Sequence, residues 1–247
     1  MRAVLSIGTT HPWNIAGVGL DIQLGRRTGN DVFTVVAAVS AQDGSGVRAL
    51  HAVDLATVRE ELRCVPWPQI AAIRIGALPS AEHVAIVAEY VAMHPRLLAV
   101  LDPVLTASPG GALVSAGTLE AMRERMLRLE NTIVTPNLAE AGALLGRRSI
   151  ERNEMDEAAR ALLAFGLCAV VLTGGHLEGD PRDVLVERAR DRIRSETLVA
   201  PRIPGAHRGT GCTLAFGIAA ALADGASIGD ALRSARALVR DRLGEAV

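Results

Sequence analysis

The chain has 247 residues, of which 49% are hydrophobic and 21% charged, with a formal net charge of −1; bulk charge thus offers nothing to nucleic acid or to an anionic membrane. Aromatic residues are only 2% and the three cysteines form no C-x-x-C pair, which argues against a base-stacking platform, a zinc site and a disulfide framework. The segment Met1 to Gly8 turns polar too soon for a signal peptide, and no apolar run approaches the roughly 20 residues that span a bilayer, so a reducing cytoplasm is the expected setting.

Taken in order, Ala3 to Ile7 is a short apolar run ending at Gly8 and predicts a buried strand. Thr9 to Gly19 reads as a loop, and a helix can begin at Asp21 and run to Thr28. Val32 to Ser40 is β-branched and apolar, a central strand, and Ala41 to Gly46 is a loop directly after it. Leu55, Val58 and Leu62 give Leu55 to Arg63 helical spacing. Ala71 to Ile75 is a strand, Ala81 to Met93 a helix stopped before Pro95, and Leu97 to Leu101 a strand ending at Asp102-Pro103. A helix over Gly117 to Arg128, a strand over Thr132 to Val134 and a helix over Leu138 to Leu145 follow. Next come a helix over Met155 to Phe165 and a strand over Cys168 to Leu172. Asp183 to Val186 and Glu196 to Val199 form a hairpin-like pair, and helices over Leu214 to Ala223 and Ile228 to Leu243 close the chain.

Strands that are apolar on both faces, alternating with helices, predict an α/β fold with a mostly parallel sheet covered on both sides. The length suits one domain over residues 1–247. In such sheets ligands bind beyond the carboxyl ends of the strands. Gln42, Gly76, Asp102, Asn137, Gly174-Gly175 and the Gly209 loop all fall there.

The segment Gly209-Thr210-Gly211-Cys212 is a glycine-rich loop that opens a helix. Free amides and a partial positive charge at a helix start suit a phosphate. Cys212 falls in the first turn, where a thiol pKa is expected to be depressed; a small packing residue is the other reading. Asp102 fits either an Mg²⁺ ligand or a turn residue. Asn137 and Glu140, three apart after Pro136, have capping-box spacing and could equally face a phosphate and a metal. The chain contains no lysine, all 26 residues counted as Lys+Arg being arginine.

Together these segments resemble the ribokinase-like small-molecule kinases, and within them the hydroxymethylpyrimidine and phosphomethylpyrimidine kinases of thiamine biosynthesis. The pieces are Ala16-Gly17 with Asp21, Ala41-Gln42, Ile75-Gly76, Asp102-Pro103-Val104, Thr135 to Glu140, Gly174-Gly175-His176, and Gly209 to Thr213. The resemblance implies a three-layer α/β/α sandwich using ATP and Mg²⁺. Asp21, Gln42 and Gly17 would hold an aminopyrimidine alcohol. Gly209, Thr210 and Gly211 would form an anion hole, with Cys212 taking or orienting the substrate hydroxyl proton. Asn137, Thr173, Gly174, His176 and Arg208 would border the nucleotide, while Glu140 and Asp102 would serve the metal. Expected partners are the small-molecule substrate, ATP and a second copy of the chain in a homodimer, with no nucleic acid and no membrane. A pyridoxal kinase, or a pyrimidine or nucleotide sensor with weakened catalysis, are the rival readings.

Departures from the pattern are specific. Thr173 stands where the family carries a lysine, and Arg208 replaces a histidine. His11 to Gly17 replaces a more glycine-rich loop, and Ala77 replaces a methionine. Arg208, next to the glycine loop, is the candidate source of the charge missing at Thr173; an exposed loop arginine is the other reading.

Overall fold

The computed structural model describes residues 2–43, 46–105, 114–115, 117–175, 179–190, 192–204 and 208–244. The strands are β1 (Ala3–Thr10), β2 (Asp31–Asp43), β3 (Gly46–Ala52), β4 (Ile70–Ile75), β5 (Leu98–Leu101), β6 (Thr132–Val134), β7 (Ala169–Thr173), β8 (Arg182–Ala189) and β9 (Arg192–Val199). The helices are α1 (Gly17–Thr28), α2 (Leu55–Cys64), α3 (Ala81–Met93), α4 (Thr118–Ala121), α5 (Leu138–Leu145), α6 (Met155–Leu163), α7 (Thr210–Ala223) and α8 (Ile228–Gly244). A π turn over Met122–Met126 extends α4. The strands make one nine-stranded sheet in the order β3-β2-β1-β4-β5-β6-β7-β8-β9. Pairing is parallel from β2 through β7 and antiparallel at β2–β3, β7–β8 and β8–β9. The α/β sandwich with a mostly parallel sheet is therefore observed.

Strand alternation divides the apolar residues between two cores. Leu5 and Ile7 of β1, Ile73 and Ile75 of β4, and Leu101 of β5 pack with Val58, Val84, Leu144 and Leu162 from α2, α3, α5 and α6. On the other face, Val4, Ala72, Val100, Ile133 and Val171 pack with Leu20, Phe216, Ile218 and Leu232 from α1, α7 and α8. A second rule operates along this latter face. Two residues further along, each strand turns polar: Ser6, Arg74, Asp102, Thr135 and Thr173 follow those five apolar residues.

In α1 and at the sheet edges, three elements differ from the sequence expectation. Gln42 lies within β2, paired with Val47 of β3, and not in a loop after the strand; an exposed edge strand with little apolar patterning gave no signal for β3. Helix α1 begins at Gly17 and not at Asp21, which puts Asp21 inside it. The hairpin is longer, its register running from Arg182↔Val199 to Ala189↔Arg192, because charged residues suffice on an outer strand.

Candidate active site

The centre of the site is a residue that the sequence reading passed over. Arg74 is fully buried on β4, one residue before its end. Its Nη2 donates to Asp102 Oδ2 at 3.0 Å, and its Nη1 lies 3.4 Å from Asp21 Oδ2. Ser6 Oγ donates to the same Asp21 oxygen at 2.5 Å. Space for the guanidinium comes from Gly76, where a Cβ would stand 2.2 Å from Arg74 Nη1. The signal was a charged residue within the apolar run Ala71-Ala72-Ile73-Arg74-Ile75, since arginine is rarely buried without a partner.

Cys212 completes this cluster from the first turn of α7. Its thiol lies within electrostatic reach of Arg74, Asp102 and Asp21. The expected depression of the thiol pKa is overturned. Burial pushes it up to about 11; Arg74 opposes the rise, while Asp102 and Asp21 reinforce it. Desolvation and two carboxylates thus outweigh the helix start, and Cys212 is a neutral thiol at pH 7. Burial likewise raises Asp21 to about 6 against the pull of Arg74 and Ser6. Asp102 is raised by burial and held back by Arg74 and the Cys212 thiol.

Gly209 opens the helix as expected, but α7 begins at Thr210 and not at Leu214, so Thr210, Gly211 and Cys212 form its first turn rather than a loop. Gly209 caps α7 with φ +71, and a Cβ there would lie 2.1 Å from the Ile15 carbonyl, so only glycine fits. No side chain caps this helix start, and Gly211 is exposed. A Cβ on Gly211 would be 3.9 Å from Asp102 Oδ1, so this turn and the carboxylate face each other.

Asn137 and Glu140 form the capping box: Asn137 Oδ1 accepts from the Glu140 amide and Glu140 Oε2 from the Asn137 amide, each at 2.9 Å. Glu140 also lies within electrostatic reach of Asp102. Burial and then the Asp102 charge push its carboxyl up to about 8, against the Asn137 hydrogen bonds. Two carboxylates that repel each other are a donor set for one divalent cation. Among the described residues no group of three or more His, Cys, Asp or Glu is arranged to hold a metal ion. Two carboxylates suit Mg²⁺, which usually keeps waters and borrows phosphate oxygens.

Thr173 ends β7 beside this block, its amide and its Oγ1 both donating to the Pro136 carbonyl, at 2.9 and 3.3 Å. The Gly174 amide donates to the Arg182 carbonyl and, at 3.3 Å, to Asp183 Oδ1. Asp183 in turn is ion-paired with Arg236 of α8. His176 lies outside the described residues. Gln42 accepts from Ser40 Oγ at 3.1 Å, and the next residue, Asp43, accepts at its carbonyl from Arg208 Nη1 at 2.8 Å. Arg208 thereby joins the β2–β3 ribbon to the glycine loop. Asp21 is completely buried beneath Arg74 and Ser6, so its carboxylate acts on the site through them.

Uncapped helix amides, a neutral thiol among carboxylates and a repelling carboxylate pair can hold an anion, orient a hydroxyl and take a cation. On a sheet of this topology those features define a ribokinase-like small-molecule kinase. Solved structures with the same fold include a phosphomethylpyrimidine kinase from Clostridium difficile, with TM-score 0.83 at 23% identity over 98% of this chain and 100% of the other. A Bacillus subtilis pyridoxal kinase solved as an ADP complex has TM-score 0.84 at 26% identity, over 96% of this chain and 89% of the other. A hydroxymethylpyrimidine/phosphomethylpyrimidine kinase of Streptomyces coelicolor is 36% identical over 96% of this chain and 86% of its own length. Its Haemophilus influenzae counterpart is 31% identical over 96% and 88%. Residues 13–247 match the family described as phosphomethylpyrimidine kinase, and the chain belongs to that family. It is a phosphotransferase. Among the described residues, no helix is long and apolar enough to cross a membrane.

Proposed function

We propose that the protein transfers the γ-phosphoryl group of ATP to the hydroxymethyl oxygen of hydroxymethylpyrimidine, to a phosphate oxygen of its monophosphate, or to both. The observation that carries this reading is the convergence of Cys212, Asp102, Arg74 and Asp21 beside the uncapped start of α7. In the reaction the substrate oxygen bonds to the γ-phosphorus as the bond to the bridging β–γ oxygen breaks, leaving ADP. The phosphoryl transition state is loose, so positioning and charge do most of the work. A neutral thiol suits that chemistry: Cys212 would orient the hydroxyl, and the hydroxyl proton would pass to the neighbouring Asp102 carboxylate. Amides of Gly209, Thr210, Gly211 and Cys212 face the transferring oxygens. Asp102 and Glu140 would hold Mg²⁺, which would neutralise triphosphate charge. Gln42 would read the ring, since its amide both donates and accepts, as an aminopyrimidine requires. Thr173 and Gly174 would border the nucleotide, with Arg208 bridging to Gln42's strand.

The resemblance to a pyridoxal kinase makes pyridoxal the competing acceptor. Purified protein with ATP and Mg²⁺ should phosphorylate the pyrimidine alcohol with higher kcat/KM than pyridoxal. The reverse preference would reassign the acceptor, and binding of pyrimidine without turnover would leave a sensor. A cytoplasmic homodimer is the expected form, and light scattering on the purified chain reads its oligomeric state.

A further inference from the structure

Arg242 lies near the end of α8, far in sequence from the glycine loop, yet its guanidinium is seated directly behind that loop. Its Nη1 donates to the Arg208 carbonyl at 2.8 Å and to Thr213 Oγ1 at 3.2 Å, and its Nη2 to the Ile15 carbonyl at 3.4 Å. A Cβ on Gly209 would come within 3.3 Å of Nη1. One side chain therefore ties together the segment before α1, the residue entering the glycine loop and the first turn of α7.

The placement runs against ordinary electrostatics. A helix start is already positive, and cations are favoured at the opposite end. Burial also disfavours the Arg242 charge, the Arg27 charge disfavours it further, and Cys212 would support it only as a thiolate. A guanidinium held there makes sense when an anion occupies the amides in front of it. Two further observations point the same way. Arg74, fully buried beside the same helix start, keeps its Nε without a hydrogen-bond partner, while its Nη1 is ion-paired with Asp21. The chain has no lysine to balance phosphate charge, only arginine.

We infer that Arg242 is a positioning residue for the transferring phosphoryl group: it fixes the Arg208-to-Thr213 loop through two hydrogen bonds, ties it to Ile15 through a third, and adds positive potential behind its amides. The inference rests on the phosphoryl-transfer reading above. It gives Arg242 the charge-supplying part expected for Arg208, whose Nη1 is directed to the Asp43 carbonyl.

Two variants separate charge from bracing. Arg242→Gln drops the charge and keeps some hydrogen bonding; Arg242→Lys keeps the charge and loses the planar fork. Arg242→Gln should lower kcat about 10-fold and leave the pyrimidine KM nearly unchanged, as for a lost transition-state interaction of moderate range. Calorimetry should show MgADP–aluminium fluoride, a mimic of the transferring phosphoryl, bound about 10-fold more weakly, with MgADP alone shifted by less than about 2-fold. Arg242→Lys should recover most of both losses. Equal weakening of the two ligands, or a lysine variant as impaired as the glutamine one, would reduce Arg242 to a structural brace and overturn the inference. Wild-type turnover of hydroxymethylpyrimidine reads the underlying function separately. An inactive wild type that still binds MgADP–aluminium fluoride in an Arg242-dependent way would sink the kinase assignment and keep the role of Arg242. Failure of the wild type to bind that mimic would sink both.

Discussion

The two faces of the central sheet begin alike and end differently. On the face covered by α2, α3, α5 and α6, β4 and β5 stay apolar to their carboxyl ends at Ile75 and Leu101, and β1 is apolar through Ile7. On the face covered by α1, α7 and α8, they change at the last turn of the pleat, from Val4, Ala72 and Val100 to Ser6, Arg74 and Asp102. Both ends are buried, so burial alone does not mark the site. The difference teaches that the functional edge is defined by polarity on one face, with the opposite face supplying the rigidity that polar residues do not.

Breaking the comparison at its centre should have the largest effect. Arg74→Met removes one member of a buried ionic cluster and leaves Asp21 and Asp102 facing each other, so it should cost about 3–5 kcal/mol in chemical denaturation. The neighbouring Ile75→Val, on the apolar face, should cost only about 0.5–1.5 kcal/mol. Equal losses for the two would show that the cluster carries no special weight.

Cys212→Ala tests the chemical end of the same face. We expect kcat to fall about 10²-fold, with the thermal midpoint close to wild type because the thiol is small. Unchanged turnover would make Cys212 a packing residue. The raised thiol pKa adds a second readout: iodoacetamide should react slowly with Cys212 at pH 7 and faster as pH approaches about 11.

Gln42→Ala should weaken pyrimidine binding by roughly 1–3 kcal/mol, since a ring nitrogen loses its partner, and leave ATP affinity nearly untouched. Calorimetry that found both ligands weakened alike would remove Gln42 from substrate recognition.

Glu140 sharpens the comparison through pH. Its folded carboxyl keeps a proton up to about pH 8, whereas the unfolded group loses it near the ordinary value of 4.5. Between those values the folded state binds more protons, so its contribution to stability falls as pH rises. Glu140→Gln should flatten that slope, and wild-type Mg²⁺ affinity should rise over the same range as the carboxyl ionises. A wild-type slope that survives in Glu140→Gln belongs to another group.

The smallest effect is expected at Arg208. With its Nη1 on the Asp43 carbonyl, Arg208→Ala should change kcat by less than about 3-fold, in the manner of a residue that joins loops without touching reacting atoms. Thr173→Lys in that background would then gain little. A large loss in Arg208→Ala would return the phosphate charge to this residue.

Local chemistry made much of this legible. Apolar strands alternating with amphipathic helices dictate a parallel sheet covered on both faces, because each apolar face must be buried. The capping box at Asn137 and Glu140 and the glycine cap at Gly209 depend on neighbours within a few residues, so the sequence contained them in full. Strand β3 was not legible, since an exposed edge is held by main-chain hydrogen bonds to β2 that leave little mark on side-chain pattern. Arg74 was half legible: a lone charge in a buried strand announces a partner without naming it. Asp21 and Asp102 reach it only because α1 packs on β1, next to β4 in the sheet, and β5 pairs with β4. The thiol pKa was decided by tertiary structure alone. The helix start, a local feature, lowers it; burial and two distant carboxylates raise it, and electrostatic energies follow distance through space, not along the chain.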